Sequence, residues 1–70
     1  MELSNEQLLL MNGLDLCGLQ KEAVMGVMLM LQEPEQIMKM TNWMADRIEK
    51  DSMPNEEEIF EQAYVILKTV

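Results

Sequence analysis

Glycine and proline interrupt the sequence at three places: Gly18, Glu33-Pro34, and Ser52-Met53-Pro54-Asn55. The residue before a proline is pushed toward extended geometry, and glycine readily takes the left-handed conformation that ends a helix. Four stretches remain between these breaks, and each reads as a short helix: about 5–17, 21–31, 34–50 and 56–68. The expected fold is therefore all-α, a small compact bundle of four short helices making one domain over residues 1–70.

The starts of these helices are written into the sequence. Ser4-Asn5-Glu6-Gln7 fits a capping box, with Leu3 and Leu8 spaced for a hydrophobic staple. Pro34 suits a first helical position, where its missing N–H has no intrahelical partner to lose. Asn55 followed by Glu58 repeats the capping logic, and Glu56, Glu57 and Glu58 complement the positive end of the helix dipole.

At roughly 100° per residue the apolar side chains fall into stripes. In the first helix Leu10, Leu14 and Cys17 form the stripe, with Leu9 and Leu16 beside it. In the second, Ala23, Val24, Val27 and Leu31 face inward, while Met25 and Leu29 share the side of Glu22. Almost every residue from Ala23 to Leu31 is apolar, which predicts that this helix is innermost. Gly26 within it is explained by a close helix crossing, since glycine costs a helix about 1 kcal/mol relative to alanine. The third helix turns Ile37, Met40, Met44 and Ile48 inward and leaves Trp43 on the border. The fourth turns Ile59, Phe60, Ala63, Ile66 and Leu67 inward, with Tyr64 at the edge and Val65 outward.

A chain of this size hides only about 60% of its unfolded-state surface, so helix packing or self-association must supply its stability. Disulfides and zinc are excluded as staples, because Cys17 is the only cysteine and histidine is absent. The same shortage argues against an enzyme. Cys17 has no histidine to generate its thiolate and lies on an apolar stripe, and the three glycines lack the strand-to-helix setting of a phosphate loop. Glu56-Glu57-Glu58 lacks the alternating ligands of a calcium loop. No catalytic residue, metal or cofactor is expected.

The net charge of −8 is concentrated in residues 1–36 and 49–61, with a slightly positive stretch between them. Without a basic stripe to release counterions, direct binding to nucleic acid or an anionic membrane is disfavoured. No signal-peptide pattern is present, and the apolar run at 23–31 is too short to span a bilayer, so a cytoplasmic location is expected.

What remains is protein binding. The nine methionines suit adaptable packing inside a core or at a contact surface. Met25 and Leu29, on the side of the second helix opposite its core stripe, are candidate contact residues. Trp43 with Arg47 is a second candidate pair, because tryptophan is enriched at interface hot spots and Arg47 lies in the same helical row. The expected function is a non-enzymatic protein–protein interaction module, a self-associating small regulator or inhibitor whose protein partner the sequence does not identify. One alternative is an acidic phage-type inhibitor imitating nucleic-acid charge at a basic groove. Another is a binder of a small apolar ligand in a Met-lined cavity.

The run from Leu14 to Met44, with Cys17-Gly18-Leu19 as a tight turn between helices, resembles in outline the three-helix ubiquitin-associated domain. It covers under half of the chain, and Cys and Leu stand where that family carries Met and an aromatic residue in the turn. A helix-turn-helix reading of the same segment fails on charge, since the would-be recognition helix holds one lysine and no arginine.

Overall fold

The computed structural model describes residues 2–69. It contains four α-helices, α1 (Asn5–Leu16), α2 (Lys21–Met30), α3 (Pro34–Glu49) and α4 (Glu56–Lys68), and no strand among the described residues. The all-α bundle expected from the interruptions is what forms.

The capping box of α1 is complete: the Ser4 hydroxyl accepts from the Gln7 N–H at 3.2 Å, and the Gln7 side chain accepts from the Ser4 N–H at 2.8 Å. Asn55 and Glu58 make the equivalent reciprocal pair before α4, at 2.9 and 3.2 Å. At the other end of α1, Gly18 is left-handed with φ 81°. The Leu19 N–H reaches the Leu14 carbonyl and the Gly18 N–H reaches that of Asp15, the two bonds of a Schellman stop.

The helix α3 ends in the same way and before the proline that the sequence suggested as its breaker. Asp51 is left-handed at φ 57°, the Ser52 N–H bonds to the Arg47 carbonyl, and the Asp51 N–H bonds to that of Ile48. Pro54 lies three residues beyond and is fully buried, closing the bundle at the start of α4.

Each helix packs against two others in a ring, α1 on α2 and α3, and α4 on α2 and α3. The expectation that α2 is innermost is corrected by this ring: it flanks α1 and α4 but makes no close backbone approach to α3. One side of α2 is left to solvent. The core at the centre is Leu10, Leu14, Val24, Val27, Leu31, Ile37, Met40, Met44, Ile59, Ala63 and Ile66.

Two glycines sit where helices meet. A Cβ built on Gly13 would stand 2.9 Å from the Met44 terminal methyl, so α1 and α3 approach closely there. A Cβ on Gly26 would meet the Phe60 ring at 3.6 Å, the crossing of α2 with α4 that its glycine suggested.

Several stripe assignments need correction. Leu9 and Leu16, placed beside the α1 stripe, are 60% and 68% exposed. They fall about 120° and 140° from the centre of the Leu10 and Leu14 face, beyond Gly13, too far around the helix to reach the core. Leu67 is exposed, and Cys17, Ile48 and Phe60 are only partly buried. Gln36 is also buried; its side-chain oxygen accepts from the Glu33 N–H at 3.2 Å.

Candidate protein-interaction surface

The outward side of α2 follows from what its other sides bury. Ala23, Val24 and Val27 enter the core. Gly26 lies under Phe60 of α4, and half-buried Met28 helps to line a groove shared with α1. Lys21, Glu22, Met25 and Leu29 lie on the side away from the core and are exposed. Met25 is 60% and Leu29 68% exposed.

These two side chains border an open groove of about 530 Å³ between α1 and α2, lined by Leu3, Gln7, Met11, Met28 and Gln32 as well. The Gln32 amide donates to the Leu29 carbonyl at 3.0 Å, which satisfies one of the carbonyls left free where α2 ends. The rim of the surface is therefore held by a local hydrogen bond beside the exposed leucine. The accessible surface of the chain, 4906 Å², is roughly a tenth more than the approximately 4,500 Å² that the size scaling gives for a compact monomer of this mass. Further apolar residues, including Leu9, Leu16, Met38 and Tyr64, are spread over the other helices.

The second candidate pair has partners of its own. The Arg47 guanidinium carbon lies 5.3 Å from the centroid of the Trp43 ring, and Trp43 is half-buried against the core. Arg47 also donates from Nε to the Ser52 carbonyl at 2.8 Å and from Nη2 to Glu58 Oε2 at 2.9 Å. It thus ties the end of α3 to the following turn and to the first turn of α4. Trp43 is half-buried against the core and stacked by Arg47, so part of the cover that its ring needs comes from the same chain. Pairwise contacts of this kind, eleven residues apart in sequence, leave no periodic trace, although Arg47 four residues after Trp43 did.

Charge and hydrogen bonding set the protonation of this corner. The Arg47 side chain, followed by the Asn55 N–H, holds the Glu58 carboxyl below its ordinary value. Burial pushes the Cys17 thiol up, with the positive charge of Arg47 opposing part of the rise. Cys17 is a partly buried thiol packed against the core.

Among the described residues no three Cys, Asp or Glu side chains converge as a metal site. Among the described residues no helix is long and apolar enough to cross a membrane. No family model, curated protein or solved structure matches the chain.

Proposed function

We propose that the protein is a non-enzymatic protein–protein interaction module, a small regulator or inhibitor that self-associates through the outward face of α2. The observation that carries this reading is the adjacency of Met25 and Leu29, 60% and 68% exposed one helical turn apart, beside the groove shared with α1. A leucine and a methionine standing together in water are worth covering, at about 25 cal/mol per Å² of apolar area removed. Methionine's flexible thioether side chain suits a face that must adjust to a second surface. Trp43 and Arg47, the other expected contact residues, have partners within the chain, so the weight of the proposal rests on α2.

The acidic-mimic reading keeps one supporting observation: Glu56, Glu57 and Glu61 are exposed together on the first turns of α4. Salt separates the two. Two chains of charge −8 repel, so an apolar self-contact tightens as salt screens that repulsion, whereas docking onto a basic groove weakens. A sedimentation series from 50 mM to 500 mM sodium chloride should show unchanged or stronger self-association if the proposal is right. A monomer at every salt concentration would remove it.

A further inference from the structure

Among the described residues, the side chains that line the groove between α1 and α2 are all uncharged, and Gln7 and Gln32 are the polar ones. Met11, Met25 and Met28 supply much of the wall, and flexible thioethers let such a wall close around side chains of differing shape. The groove follows α2 from Met25 to Gln32, on the order of 10 Å and so roughly two helical turns. Both walls are helices, which offer no open strand edge to pair with, so the fitting occupant is the apolar side of another helix.

Charge gives the two ends of this groove different surroundings. The Met44 methyl against Gly13 brings the C-terminal halves of α1 and α3 together, so the turns that follow them, 17–20 and 50–55, lie at one end of the bundle. Residues 15–22 and 46–58 at that end hold eight acids and three bases. Arg47 and Lys50 are engaged there by Glu58 and Asp46. Asp15, Glu22, Glu49, Asp51, Glu56 and Glu57 are exposed, with Lys21 as the remaining base. Asp15 follows the groove residue Met11 by one turn of α1, and Glu22 precedes Met25 by one turn of α2, so the groove opens onto this acidic end. The opposite end, residues 2–7, 32–39 and 65–69, holds four acids and two bases.

From the uncharged groove and the acidic end onto which it opens, and resting on the reading of the α2 face as a contact surface, we infer that the groove binds a short amphipathic helix of a partner protein. That helix is apolar along one side and carries lysine or arginine at the end that lies over the two turns. Its apolar side covers Met25 and Leu29, which are 60% and 68% exposed. Its basic end meets carboxylates that the fold leaves without cations, and complementary charge of this kind speeds encounter and fixes direction. A second copy of the chain brings another charge of −8 to the same border, whereas a basic helix lowers the charge of the pair. Partner binding and self-association therefore compete for Met25 and Leu29, and the partner displaces the second copy.

The test uses the full chain and two fluorescently labelled helical peptides that share one apolar stripe, one ending in a run of lysines and the other in a run of glutamates. At low salt the lysine peptide should bind wild type on the order of tenfold more tightly than the glutamate peptide, with the difference shrinking as salt rises. Leu29→Glu should abolish binding, and Leu9→Glu, on the outer side of α1, should leave it unchanged. Glu22→Lys should weaken the lysine peptide more than Glu2→Lys, a reversal of equal size at the opposite end. Circular dichroism verifies that each variant is folded. If wild type self-associates but neither peptide binds, or if binding survives Leu29→Glu, the partner inference is overturned while the self-association reading stands. Equal affinity for the two peptides, or equal losses in Glu22→Lys and Glu2→Lys, would overturn the basic, oriented partner. If wild type is monomeric throughout and the lysine peptide still binds through Leu29, self-association is overturned and the partner inference stands.

Discussion

The Met44 methyl occupies the space beside Gly13 where a side chain would begin, 2.9 Å from the position of a Cβ. At Gly26 the corresponding space is met only by the Phe60 ring at an ordinary 3.6 Å. The two helical glycines therefore respond differently to alanine. Gly26→Ala should raise stability by about 0.5–1 kcal/mol through helix propensity. Gly13→Ala must displace a buried methionine tip and should gain less or lose. Urea denaturation of the two variants measures the difference, and an equal gain at both sites would refute the close approach of α1 and α3.

Asp51 is the one non-glycine residue with positive φ among those described. An L-residue there carries a steric cost that glycine lacks, and the Schellman bonds from Asp51 and Ser52 remain available to glycine. Asp51→Gly should stabilise the protein by about 0.5–1 kcal/mol, read as a shift in urea midpoint with an unchanged slope.

Arg47 governs both Trp43 and Glu58. Removing it as Arg47→Ala uncovers the indole, so emission should move to the red and quenching by iodide should rise while helix content stays near wild type. The lost stack contributes about 0.5–1 kcal/mol.

The acid limb of stability should also change in that variant. The folded-state value of Glu58 lies below its ordinary 4.5, so its contribution is complete above pH 4.5 and is lost as pH falls through the lower folded value. In Arg47→Ala the first cause of that depression is gone. The Glu58 carboxyl, followed by carbon-detected NMR titration, should rise toward its ordinary value, the Asn55 hydrogen bond retaining part of the shift. An unmoved titration would show that the Arg47–Glu58 bond does not form in solution.

The bundle was legible in sequence because caps, stops and stripes are local. Ser4 with Gln7, Asn55 with Glu58, and Gly18 each announce a helix end within a few residues, and the observed helices match those ends closely. The neighbours of each helix were not legible. Nearly uniform apolarity from Ala23 to Leu31 suggested a central α2, but in a ring of four every helix has an outer side, and Met25 and Leu29 are on it. Leu9 and Leu16 show the same limit, since apolar type alone does not say how far around a helix its neighbours reach. Asp51 as a helix stop was hidden because aspartate seldom takes that role. The Arg47 link to Glu58 was hidden because it joins helices across a turn.

Sedimentation velocity over a dilution series, comparing wild type with Leu29→Glu, tests the self-association through α2 most directly. Leu29 is exposed, so the substitution should alter fold stability by no more than about 0.5 kcal/mol. The account predicts a wild-type species heavier than one chain that dissociates on dilution from high micromolar concentration, and a Leu29→Glu protein that is folded and monomeric across the same range. A wild-type monomer at the highest concentration, or association undiminished in folded Leu29→Glu, would contradict it.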